Sequence, residues 1–197
     1  MNDGDSLRNI AVQRHRSLIL ASRSPQRRAI LEQLGVAFDV RPAEVEELEE
    51  GDPEQIAVEN ACRKAQAVAS GSDLVLGVDT VVALGVRLYG KPADAGEARQ
   101  TLQTLSGQTH HVIGGLCLID RGQIRSTKAI TKVKFRAMGP QLIDWYLATG
   151  EWRDRAGAYA IQGRGAALVE RIEGDYFNVV GLPVPLLLQL EPGLLER

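Results

Sequence analysis

The run Leu74-Val75-Leu76-Gly77-Val78-Asp79-Thr80-Val81-Val82-Ala83-Leu84 is the most apolar stretch of the chain, and one carboxylate interrupts it. A run of this kind reads as a central strand. An ionised aspartate buried there without a partner would cost several kcal/mol, so Asp79 must be paired, hydrogen-bonded, set in an active cleft or bound to a metal. Gly85-Val86-Arg87-Leu88 then reads as a turn and a return strand. Tyr89-Gly90-Lys91-Pro92 ends it with a lysine held between glycine and proline.

Upstream, Leu18-Ile19-Leu20-Ala21-Ser22-Arg23-Ser24-Pro25-Gln26-Arg27-Arg28 is a short apolar run feeding a helix start. Ser24 suits the N-cap and Pro25 the first helical position, with Gly35 as the stop. Unpaired N–H groups there, with Ser22, Ser24, Arg23, Arg27 and Arg28 around them, would suit a phosphate; a plain turn with solvated arginines is the alternative. Val36 to Val40 reads as a strand packed on one face. The acidic loop Glu44 to Glu50 follows, either a solvated charge run or the source of one carboxylate for a cleft. Asp52-Pro53-Glu54-Gln55 opens a helix to about Ser70 with a capping box. Its stripe is Ile56, Ala57, Asn60, Ala61, Lys64, Ala67 and Val68, apolar except for Asn60 and Lys64. Lys64 can snorkel to water or point into an anion site, and spacing leaves both open.

Asp94 to Glu97 marks a second capping box, opening a helix with Ala98, Leu102 and Leu105 inward and a stop at Gly107. Thr109 to Asp120 and Gln123 to Arg136 read as a long antiparallel pair about the turn Asp120-Arg121-Gly122. His110 and His111 are adjacent and so face opposite ways, which argues against a shared metal and for surface or lightly packed histidines. Pro140 to Thr149 reads as a helix, the glycine- and alanine-rich stretch 154–165 as a place where backbone approaches something closely, and 166–172 and 176–180 as closing strands. A final helix is expected from Leu182-Pro183 to Leu190.

With 197 residues, the expectation is a loose polar tail over 1–16 and a single α/β domain over 17–197. A formal charge of −2 gives no general reason to bind nucleic acid or an anionic membrane. Cys62 and Cys117 are too few for a disulfide scaffold, which points to a reducing cytoplasm and against zinc. No secretory signal or membrane-spanning run is expected.

Taken in order, the 18–28 stretch, Pro42 to Glu47, Gly77-Val78-Asp79-Thr80, Gly90-Lys91-Pro92, Leu105-Ser106-Gly107, Ala156 to Tyr159, Ile161-Gln162-Gly163 and Gly181-Leu182-Pro183 resemble the Maf (septum formation) family of nucleoside triphosphate pyrophosphatases. The resemblance covers about residues 17 to 190. It implies a mixed, strongly twisted sheet flanked by helices, with an active cleft between two lobes. It also implies attack of water on the alpha phosphorus of a nucleoside triphosphate, giving the monophosphate and pyrophosphate with the help of a divalent metal, Mg²⁺ or Mn²⁺. On this resemblance Ser22, Ser24 and Arg27 would hold phosphate, and Lys64 and Lys91 would neutralise it. Glu47 and Asp79 would hold metal or water, with Asp79 as proton acceptor; the catalytic set is then Asp79, Glu47 and Lys91.

In the dTTP/UTP branch of that family, base choice rests on an arginine after Ser-Pro, a threonine after the aspartate and a glutamine before the late glycine. This chain carries Thr80 and Gln162 at two of these and Gln26 at the first. It matches none of the residues of the 7-methyl-GTP branch, so pyrimidine nucleotides, modified ones included, are expected; Gln26 leaves the base open, with 7-methyl-GTP-type specificity as an alternative. A division-linked regulator that binds nucleotide without turnover is the competing expectation. Homodimerisation is compatible with the resemblance, and no stripe in the sequence demonstrates it.

Overall fold

Alternate residues of the Leu74–Leu84 strand enter different cores, and that alternation organises the molecule. The structure, a computed structural model, describes residues 17–196, so the expected tail over 1–16 lies outside the described residues. The elements are β1 (Leu18–Leu20), α1 (Pro25–Gln33), β2 (Phe38–Val40), α2 (Pro53–Val68), β3 (Leu74–Leu84), β4 (Arg87–Leu88) and α3 (Ala95–Leu105), followed by β5 (Thr109–Asp120), β6 (Gln123–Phe135), α4 (Pro140–Ala148), β7 (Val169–Glu173), α5 (Tyr176–Val180) and α6 (Val184–Leu190).

One seven-stranded mixed sheet runs β2-β1-β3-β5-β6-β7, with β4 added to β3. β1 is parallel to β2 and β3, whereas β3, β5, β6 and β7 pair antiparallel in turn. Helices flank the sheet, as expected of the α/β class. On one face Leu74, Leu76 and Val78 pack with Leu18, Leu20, Leu116, Leu118 and Leu187, and Val82 joins a second core with Leu102, Val112, Phe135 and Tyr146. On the other face Val75 packs beneath Ala61 and Ala65, and Val81 and Ala83 beneath Ile56 and Ala57. Asp79 belongs to this second face and Thr80 to the first, because side chains alternate along a strand.

Glycine brings α2 onto the sheet. A Cβ on Gly77 would lie 2.0 Å from the Ala61 carbonyl, and one on Gly115 would lie 2.0 Å from that of Ala57. Alanines on the helix and glycines on the strands therefore let the two backbones touch. The buried stripe of α2 is Ile56, Ala57, Asn60, Ala61, Lys64 and Ala65; Ala67 is exposed and Val68 only half-buried.

Other expectations are corrected. Residues 176–180 form a helix, not a strand: the Asp175 carboxylate caps the Phe177 amide and Gly181 closes the turn at φ 134°. His110 is fully buried, because its side chain lies among Phe135 and Tyr159. The strand expected from Val36 begins only at Phe38 and is largely exposed. No helix among the described residues is long and apolar enough to cross a membrane.

Candidate active site

β1 ends at Leu20, and its last contact with β3 is the Ala21 amide donating to the Leu76 carbonyl. On the same side, pairing resumes where Tyr89 N donates to Val82 O and β4 meets Ala83 and Leu84. Between Leu76 and Val82 the strand has an open edge among the described residues. Asp79 and Thr80 lie at that opening, one on each face.

On the Thr80 face, Ser24 caps α1, its Oγ accepting from the Arg27 amide at 3.4 Å and donating to Gln26 Oε1 at 3.1 Å. Arg27 turns inward from the first turn. Its Nη1 donates to Ser22 Oγ at 2.8 Å, Nη2 to Thr80 Oγ1 at 3.1 Å and Nε to the Gly181 carbonyl at 2.9 Å. A guanidinium has five N–H donors, so donors remain for an anion. Burial pushes the Arg27 pKa down from its ordinary value, and the charges of Asp79 and Glu47 oppose that shift. Arg27, bonded to Thr80, thus sits beside the strand position next to Asp79 and feels the charge of the carboxylates on the other face.

There, Lys64 Nζ lies 2.5 Å from Asp79 Oδ1 and 2.8 Å from Glu47 Oε1. The side chains of Lys64 and Asp79 are 10% and 8% exposed, and that of Glu47 is 44%. Asn60, one turn before Lys64, donates to Asp79 Oδ2 at 3.3 Å and to the Leu48 carbonyl, while its Oδ1 accepts from the Leu48 amide at 2.8 Å. Asn60 thus fastens the acidic loop beside Asp79 and presents Glu47. Its position as a polar residue on an otherwise apolar stripe was the only sequence signal for this role.

The remaining expected residues stand apart from this contact network. Lys91 is exposed and, among the described residues, makes no hydrogen bond or ion pair. The backbone before it is anchored: Gly157 N donates to the Tyr89 and Gly90 carbonyls, and the segment returns antiparallel to β3 in the direction of Asp79. Gln162 is exposed in the turn closed by Gly163 N on Ala160 O. Arg23 pairs with Glu44 and Arg28 with Glu32, so neither shares Arg27's inward position.

Among the described residues no group of three or more His, Cys, Asp or Glu side chains is placed to hold a metal. The pair that does converge, Glu47 and Asp79, offers hard carboxylate oxygens around a point now taken by a cation. That donor set fits Mg²⁺, which commonly uses one or two carboxylates and completes its shell with water and substrate phosphates.

The chain is 48% identical over 181 residues to the dTTP/UTP pyrophosphatase of Pyrococcus furiosus, covering 89% of this chain and 94% of that protein. It is 49% identical over 177 residues to the dTTP/UTP pyrophosphatase of Gloeobacter violaceus, covering 88% and 93%. A relative of the same description from an Anaeromyxobacter species is 47% identical over 173 residues, covering 85% and 84%. With residues 17–191 also matching the family described as Maf-like protein, the chain belongs to the Maf family.

Proposed function

We propose that the protein hydrolyses nucleoside triphosphates to the monophosphate and pyrophosphate, with dTTP and UTP as its substrates. The observation that carries this reading is the convergence of Glu47 and Asp79 on Lys64, with Arg27 held on Thr80 at the same open edge of β3. Its chemistry is that of a triphosphate hydrolase: cations to lower the charge that repels an incoming oxygen, and a carboxylate to orient and deprotonate water.

In this reading Arg27, with the Ser22 and Ser24 turn, receives the phosphates. Its three protein acceptors fix the guanidinium plane before substrate arrives, so little orientation entropy is lost on binding. Lys91 extends from its anchored segment to the outer phosphates, and Lys64 supplies a second positive charge. Asp79, kept in place by Asn60, takes the proton of the attacking water. Glu47 and Asp79 would hold the divalent ion, which contributes Lewis acidity at the phosphoryl oxygens. Thr80 and Gln162 flank the base. Gln26 has its Oε1 engaged by Ser24, so its NH₂ group remains as a donor for a carbonyl oxygen of uracil or thymine.

The test is to incubate the protein with Mg²⁺, and separately Mn²⁺, and a panel of dTTP, UTP, CTP, 7-methyl-GTP, 5-methyl-UTP and pseudo-UTP. Pyrophosphate should appear with dTTP and UTP, and Asp79→Asn should lower that rate by about 10²- to 10⁴-fold while keeping the fold. Release of single phosphate, or no turnover of any triphosphate, would sink the proposal.

A further inference from the structure

Lys64 is a nearly buried ammonium in the middle of α2, and its Nζ takes one oxygen from each carboxylate of the proposed metal pair. The other oxygen of Asp79 is committed to Asn60. Without a cation between them, the two carboxylates would repel and Asp79 would carry an uncompensated buried charge. Lys64 therefore does for the free protein what a divalent ion would do. The two cations cannot share the place. An ion drawing on Asp79 Oδ1 and Glu47 Oε1 would need the two oxygens that Nζ now holds.

We infer, on the reading that Glu47 and Asp79 hold the divalent ion, that Lys64 is an internal counter-cation that competes with that ion until a triphosphate gives its amine another anion. The consequence is an order of events. Free divalent ion binds the empty site weakly, and nucleotide and ion load together as Lys64 exchanges carboxylate for phosphate. The residue is a positioning group with two anionic partners, one for each state. Its four-carbon stem gives the ammonium the reach to change partners, and Arg27, buried and held on Ser22, Thr80 and Gly181, has no such freedom.

The probe is Mn²⁺ without nucleotide, followed on the full chain by calorimetry and by the electron paramagnetic resonance of unbound Mn²⁺. Lys64→Met keeps most of the stem and removes the charge. It should bind Mn²⁺ at least about tenfold more tightly than the parent, since truncating one partner of a close charge pair is worth this much or more. In the parent, Mn²⁺ should tighten by a similar factor once a non-hydrolysable α,β-methylene UTP analogue is present, over and above what the analogue binds in solution. Equal or weaker Mn²⁺ binding by Lys64→Met, or no effect of the analogue, would overturn the inference.

Should the methionine variant be poorly folded, Lys64→Gln is the second substitution and the thermal midpoint the second readout. Mn²⁺ should raise the midpoint of either variant more than that of the parent, and an equal or smaller rise counts against the inference. Failure of the parent to release pyrophosphate would remove the hydrolase reading while leaving the competition between Lys64 and Mn²⁺ measurable by itself.

Discussion

At the start of α1 the Ser24 hydroxyl faces two ways, accepting from the Arg27 amide and donating to Gln26 Oε1. The cap of a helix and the orientation of a carboxamide are thus one hydrogen-bonded unit. In the dTTP/UTP branch that the sequence resembles, this position carries arginine, a donor without an acceptor. Gln26 acquires the same character by tying up its oxygen, and among the described residues its NH₂ group has no other partner. Changing Gln26 to glutamate replaces that donor by a charged acceptor of the same length. Activity towards dTTP and UTP, measured as kcat/KM, should fall about 10- to 100-fold relative to CTP, whose 4-amino group donates where the other two accept. An equal change for all three substrates would take Gln26 out of base recognition.

Among the elements, α2 depends most on a contact invisible in its own sequence. Its stripe predicts a buried face, but the placement of Asn60 and Lys64 against Asp79 requires Gly77 and Gly115 on two separate strands. Ala substitution at either would put a methyl group 2.0 Å from a helix carbonyl. The helix would have to lift, at a cost of roughly 1–3 kcal/mol for overpacking, and would carry Lys64 and Asn60 away from the carboxylate. Gly77→Ala and Gly115→Ala should therefore lose activity well below the temperature at which they unfold, whereas Gly193→Ala, with open space around the added Cβ, should change neither. Activity and thermal midpoint measured together on the three variants check this; full activity in the folded Gly115→Ala protein would contradict it. Local signals made α1, α2, α3 and the β5–β6 pair legible, because caps, glycine stops and apolar spacing all lie within the element. They fail at Tyr176–Val180, expected as a closing strand, where Asp175 and Gly181 cap a single short helix and Asn178 reaches the Val112 carbonyl. The site divides the same way. Ser22, Arg27 and Thr80 are legible as types, while their union on the Arg27 guanidinium, which also reaches the Gly181 carbonyl 154 residues away, leaves no local trace.

Across the whole molecule, β3 and β5 run through both main cores, so a perturbation in one reaches the opening that lies between them. His110 supplies such a perturbation. It is the second residue of β5, beside the core that holds Tyr89 and Ala158, with Nε2 2.9 Å from the Tyr159 hydroxyl, the Phe135 ring edge-on at 4.7 Å and no partner for Nδ1 among the described residues. Burial, reinforced by neighbouring His111, pushes its pKa down to about 4 from the ordinary 6.5. Burial also pushes the Tyr159 hydroxyl up, so it stays protonated throughout. Because the folded pKa lies below the unfolded one, the unfolded chain takes up the proton first as pH falls. Stability from this group is complete above about pH 6.5, declines by about 1.4 kcal/mol per pH unit below it, and levels off near pH 4 after a loss of about 3 kcal/mol. Carboxylates contribute their own acid dependence, so the informative quantity is a difference. Urea unfolding at pH 7, 6, 5 and 4.5 should show the parent losing stability more steeply than His110→Phe, which keeps an aromatic ring in the cluster but cannot be protonated. Activity should fall together with the unfolding signal, because the strands that carry His110 and Asp79 are paired along almost their full length. Parallel pH profiles for the two proteins would mean that the His110 proton plays no part in acid unfolding.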